Sequence, residues 1–224
     1  MAQMCYYKLV TIVKIFLQRL LAALALCYSI TVFAHPHSFI DMQNQLQIKD
    51  GHLIAMKMTW VMDPMTSADL LYDAQQAKES DEVWKQLSAE VMANVIKQHY
   101  FTSLYDKNKL IKFRFYPKEY HLSRKGNQAV LSFTLELAKP EPITGKTLTV
   151  MTYDPSYYVD MTYRSKKQIS SLTDTLSQCK IQLITPKPNA SMINYALSLD
   201  KGETPQEDLS LGQQFAQKVN IICQ

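Results

Sequence analysis

The sequence predicts an α+β fold, an antiparallel β-sheet or sandwich with a helical insertion after the first hairpin. Three observations carry this. Two alternating apolar arms meet at Lys49-Asp50-Gly51, early in the chain. Apolar residues at helical spacing follow Asp63-Pro64, and beyond Asn108 the texture returns to short β-rich segments separated by turn residues.

The first arms read "FIDMQNQLQIKDGHLIAMKMTWVMD". Asp-Gly between such arms is a strong hairpin signal, because a two-residue turn of the right twist needs positive φ at both central positions. Asp63-Pro64 breaks the second arm. Met65, Ala68, Leu71 and Tyr72 then predict a helix over residues 65–77. Ser80 is the expected N-cap of a second helix, with Asp81 and Glu82 in its first turn. Its apolar stripe is Val83, Leu87, Val91 and Val95 with Trp84, Met92 and Ile96, and the pattern carries it to about Tyr105. Strands follow at "LIKFRFY", "EYHLS", "AVLSFTLEL", "KTLTVMTYD" and "SYYVDMTYR", with "RKGNQ" as a turn, Pro140 and Pro142 in a loop and Pro155 at a kink. "CKIQLITP" is a further strand closed by Pro186 and Pro188. The tail "EDLSLGQQFAQKVNIICQ" predicts a short helix and a last strand.

Residues 1–34 carry Lys8, Lys14 and Arg19, no acid, and the apolar run "LLAALALCYSITVFA". That is the layout of a secretory signal peptide, with a single membrane anchor as the alternative. Val32 and Ala34 suit a cleavage site, which would make His35 the first residue of an exported, periplasmic protein and leave residues 35–224 as a single domain. Cleavage takes the formal charge from +4 to about +1. Cations and acids interleave along the chain, so no nucleic-acid footprint is expected. Cys5 and Cys27 fall in the leader. Cys179 and Cys223 remain, and an even pair in an exported protein is most simply a disulfide.

Two of five histidines flank one proline in "AHPHSFID". His35 at a processed N-terminus offers an amine and an imidazole, and His37 adds a third nitrogen suited to zinc, copper or nickel. Pro36 has no amide proton to lose, which excludes the square-planar amino-terminal copper and nickel geometry. Ligands from elsewhere would complete the shell, with His52, Asp41, Asp63 and Asp160 as candidates. The alternative is a polar leader to the first strand. In "YDPSYYVDMTY", alternation sets Tyr157, Val159, Met161 and Tyr163 against Tyr158, Asp160 and Thr162. Asp154 and Asp160 could supply oxygen ligands there, although a turn and an aromatic strand explain the segment equally. His99 and His121 lack ligand spacing to another histidine. No nucleophile elbow, zinc-protease, phosphate-loop or dinucleotide motif occurs, so no enzyme is expected and no catalytic residue is assigned. A copper oxidase built on His35 is the one enzymatic idea with a residue behind it.

The opening "AHPH", "FID", the strand "MTWVMD", "YFTSL", "YDPSYYV" and the late "C-x-I-x-L-x-x-P" together resemble a family of periplasmic components of uncharacterised ABC-type transport systems, which includes the ZevA-type zinc-accessory proteins. The resemblance covers essentially the whole mature chain. It implies an accessory protein that handles zinc, or another divalent transition metal, beside an inner-membrane nickel/cobalt-type permease. Of the family's motifs, His35 and His37 match the first, and Asp154 and Tyr158 the second. A module that docks on the transporter without binding metal is the alternative.

Overall fold

The computed structural model describes residues 14–19, 36–79, 81–171, 179–199 and 210–224. Residues 14–19 are helical and belong to a unit of their own, residues 1–33. The expected cleavage point between Ala34 and His35 lies outside the described residues. Among those described, no helix is long and apolar enough to cross a membrane.

Asp50 and Gly51 take the positive φ values the hairpin requires, 49° and 71°. They join β1 (Ser38–Lys49) to β2 (His52–Met62) in register from Lys49↔His52 to Ile40↔Met62. Alternation along β1 buries Ile40, Met42, Leu46 and Ile48 and turns Phe39, Gln43 and Lys49 outward.

The helical insertion begins at α1 (Pro64–Leu70), which Asp63 caps. The Asp63 carboxylate accepts from the amides of Met65 and Thr66, at 2.9 and 3.1 Å, and from the Thr66 hydroxyl at 2.6 Å. Partial burial alone would raise this carboxyl. Its bonds from Thr66, Phe39 and Met65 outweigh that and hold it below the usual range. The helix stops at Leu70, short of the expected Ala77. The Arg124 guanidinium takes the carbonyls of Ala74 and Gln75, at 3.0 and 3.3 Å, that a continuing helix would have used.

In α2 (Glu82–Lys97), Asp81 holds the N-cap position, while Ser80 lies outside the described residues. Trp84, Ser88, Met92 and Val95 are buried, and Val83, Leu87, Val91 and Ile96 flank them. The helix ends well before Tyr105 because His99, Tyr100 and Phe101 are all left-handed, at φ 49°, 60° and 50°. That conformation costs about 1–2 kcal/mol per residue. Offsetting it, buried Tyr100 donates its hydroxyl to the Phe115 carbonyl at 2.6 Å, and the Phe101 carbonyl accepts from Tyr153 at 2.9 Å. Burial pushes the Tyr100 phenol up to about 12.

Strands β3 (Thr102–Asp106), β4 (Lys109–Ile111), β5 (Tyr120–Lys125), β6 (Gln128–Pro142) and β7 (Thr147–Thr152) follow. The expected strand "LIKFRFY" is cut to β4. Pro140 and Pro142, expected in a loop, end β6 instead, where Pro142 pairs with His52. Beyond Ala138 the opposite side of β6 carries no ladder among the described residues, which is where proline is tolerated. Next come β8 (Val159–Thr162), β9 (Ile169–Ser171), β10 (Cys179–Ile184), α3 (Ala190–Ser198), α4 (Leu211–Phe215) and β11 (Lys218–Cys223). The short β9 and α3 were not expected. Helix α3 is announced only by Asn189, whose side chain accepts from the Met192 amide at 2.9 Å.

One sheet runs β5-β6-β2-β1-β8, with β9 also on β1, and the other runs β10-β11-β7-β3-β4. Pairing is antiparallel except where β1 meets β8 and β9. Trp60, Phe133 and Met58 from the first sheet share one core with Leu104, Val150 and Ile221 from the second. Trp60 and Phe133 meet edge to face, with centroids 4.8 Å apart. Cys179 and Cys223, directly paired across β10 and β11, form the disulfide.

Candidate functional site

The N-terminal motif enters the sheet at its β1/β8 edge. The amides of His37 and Ser38 both donate to the Tyr158 carbonyl, at 2.9 and 3.3 Å. One step further, Phe39 donates to the Asp63 carboxylate at 3.0 Å and its carbonyl accepts from the Asp63 amide at 2.9 Å. The backbone is therefore fixed from His37 onward, two residues after His35. His35 itself lies outside the described residues.

The parallel register Ser38↔Val159 and Phe39↔Asp160 decides which side chains meet. Ser38 points inward and Phe39 outward, so His37, Phe39 and Asp41 share the outer face with Tyr158, Asp160 and Thr162. The His37 and Tyr158 rings lie 4.8 Å apart, tilted by 40°. Asp160 is the next residue of that face after Tyr158, placed diagonally to His37.

The candidate carboxylates differ in how far they are already engaged. Asp41 accepts from Arg164 at 2.9 Å and Gln168 at 2.7 Å. Asp63 is the α1 cap. Asp154 accepts from the Ser156 amide and hydroxyl and from the Val159 amide, at 3.0, 2.9 and 3.1 Å, so it builds the turn that presents Tyr158. To Asp160, by contrast, no described residue donates a hydrogen bond. Burial pushes its carboxyl above the usual range.

His52 is carried away by the hairpin it follows. It sits at the Asp50-Gly51 end, its Nδ1 2.7 Å from the Asp50 carbonyl, about 40 Å along β1 from His37. It does not share a shell with His37. Among the described residues, no three His, Cys, Asp or Glu side chains cluster closely enough to hold a metal. At this edge the described donors are the His37 imidazole and the Asp160 carboxylate, one nitrogen and one oxygen group on the same face.

The support beneath this edge was hidden in the sequence. Tyr157 leaves the alternation expected of it. At φ 58° it swings out and stacks on Phe215, with centroids 3.9 Å apart. Met161 and Tyr163 go into the core as expected. Buried Gln217 then acts as a substitute strand, accepting from the Tyr163 amide at 2.7 Å and donating to its carbonyl at 3.2 Å.

The raised carboxyl of Asp160 has a stability consequence whose sign is fixed by linkage. Folding works against its charge, so the penalty is full above the folded pKa and disappears as pH falls below the ordinary 3.8. Asp160→Asn is expected to raise Tm at neutral pH in the presence of chelator, with the gain fading through the carboxylate range. A lower Tm at pH 7 would show that the charge is compensated.

A protein of Haemophilus influenzae (strain ATCC 51907 / DSM 11121 / KW20 / Rd), described as an uncharacterized protein, is 39% identical to this chain over 202 residues. The alignment covers 90% of this chain and 97% of that relative. Residues 20–223, which include the whole His37–Asp160 edge and its supports, match the family described as "Protein of unknown function (DUF1007)". The chain belongs to the DUF1007 family.

Proposed function

We propose that the protein is a periplasmic accessory factor that binds a divalent transition metal, zinc first among them, and works beside an inner-membrane metal transporter of the nickel/cobalt-permease type. The observation that carries the metal reading is that His37 and Asp160 lie on the same face of the β1/β8 edge. The imidazole is held on a pinned backbone, and the partly buried carboxylate gains from a cation. His35 supplies its amine and imidazole from two residues upstream, and Pro36 keeps its own nitrogen out of the shell. The placement beside a transporter of the ABC or permease kind rests on the resemblance to ZevA-type proteins. The disulfide is compatible with export.

Zinc at about 100 times its Kd stabilises a folded protein by roughly 2.7 kcal/mol, which for a domain of this size is about 5–10 °C in Tm. That shift is expected for protein beginning at His35. It should be largely lost in His37→Ala and in protein carrying one extra N-terminal residue, and it should weaken as pH is lowered through the ordinary histidine range. Equal shifts in all three proteins would remove the N-terminal site. No shift in any of them would favour a docking module that binds no metal.

A further inference from the structure

We propose that residues 107–120 form a docking surface for an anionic lipid bilayer, a property independent of the metal reading. Residues 107–118 hold five cations, Lys107, Lys109, Lys112, Arg114 and Lys118, without one acid. All five are exposed. Between them stand apolar side chains that folding ordinarily covers: Leu110 is 52% exposed, Phe115 64% and Tyr116 71%. The stretch is held in place by its backbone. Strand β4 ends the second sheet, and the following residues lie along β6 through Arg114 N–H to Glu136, Lys112 carbonyl to Ala138 and Lys118 N–H to Thr134, at 2.8, 2.8 and 3.0 Å. Beside them opens a groove of about 460 Å³ with Ile96, Leu110, Phe113 and Phe115 among its walls and His99, Lys112 and Arg114 at its rim.

Of the acids near this surface, two are paired with cations and the third, Glu119, keeps its charge. Asp106 pairs with Lys146 at 2.8 Å, Glu119 accepts from the Thr134 hydroxyl at 3.1 Å, and Glu136 meets Arg114 at 3.4 Å. Four unpaired cations against the one acid Glu119 are thus left to face a partner. Exposed aromatic and aliphatic chains inside a cationic rim match the interface of a bilayer, where rings settle at headgroup depth and Lys and Arg reach the phosphates. Single-stranded nucleic acid asks for open parallel stacking platforms. Phe115 and Tyr116 instead meet edge to face, at 4.9 Å and 89°. A second copy of the chain would set like charge against like.

The test uses protein recovered after export, its N-terminus checked by intact mass, with vesicles of phosphatidylcholine alone or mixed equally with phosphatidylglycerol. Cosedimentation is expected with the mixed vesicles and little with the neutral ones. It should fall as salt rises from about 0.1 to about 1 M, which shortens the screening length from ~10 to ~3 Å. Lys109→Gln/Lys112→Gln should bind about 30-fold more weakly, and Phe115→Ser/Tyr116→Ser at least roughly tenfold more weakly, both with unchanged circular dichroism. Equal binding to neutral vesicles, binding to neither, or full binding by both variants overturns the proposal. So does preference for an oligonucleotide or an acidic peptide over the mixed vesicles. Were a variant to misfold, the lipid and salt comparisons on the unaltered protein decide alone.

Discussion

Replacing Gly212 by alanine is expected to destabilise the protein by more than about 3 kcal/mol and to dislodge the turn that seats His37. A Cβ at this position would lie 1.7 Å from the Asp154 carbonyl oxygen, 2.8 Å from its carbon and 3.3 Å from the Pro155 carbonyl carbon. All three are backbone atoms, so no rotamer change relieves the clash. The Gly212 amide also donates to the Pro155 carbonyl at 3.0 Å. Moving the turn away disturbs the Asp154 carboxylate bonds, the Tyr157–Phe215 stack and the Tyr158 carbonyl that receives His37 and Ser38. Urea denaturation measures the stability loss, and the zinc shift should disappear with it. Gly126→Ala is the control: nothing lies within 4 Å of its added Cβ, and only the positive φ of 63° opposes it, at about 1–2 kcal/mol. If Gly212→Ala costs no more than this control, the close approach to Asp154 does not exist in solution.

Loss of the Cys179–Cys223 bond is the second large effect, expected at about 3–4 kcal/mol from the loop it closes. The bond fastens β10, an end strand, to β11, which sends Val219 and Ile221 into the core. Cys179→Ser/Cys223→Ser and the unaltered protein in reductant should give the same lowered urea midpoint, with a steeper slope because the unlinked denatured chain exposes more surface. An unmoved midpoint in both would mean that strand pairing alone holds the C-terminus.

The hairpin was legible because its determinants are local: alternation on both arms, and turn residues that accept positive φ. The end of α2 was not. His99, Tyr100 and Phe101 carry ordinary side chains, and their left-handed path is held by Phe115 and Tyr153, distant in sequence. The same division runs through the candidate site. His37 and Asp160 could be named by residue type, but their adjacency comes from a parallel pairing that no local pattern announces. His52 shows the converse, since it was a candidate from elsewhere in the chain for the same shell and the hairpin holds it at the far end. Gly212 gave no signal at all, because the need for glycine there is set by the Asp154 carbonyl.

The parallel edge of β1 also governs when the site comes into being. β1 finds β2 at once through a two-residue turn, but its other edge waits for β8 and β9, and the Gln168–Asp41 contact spans 127 residues of chain. Contacts of such separation form late, because loop closure must precede them. The bed for His37 also needs Gly212 and Phe215, close to the chain end. A growing or partly threaded chain therefore has His37 without its cradle, which is complete only once the last residues have folded.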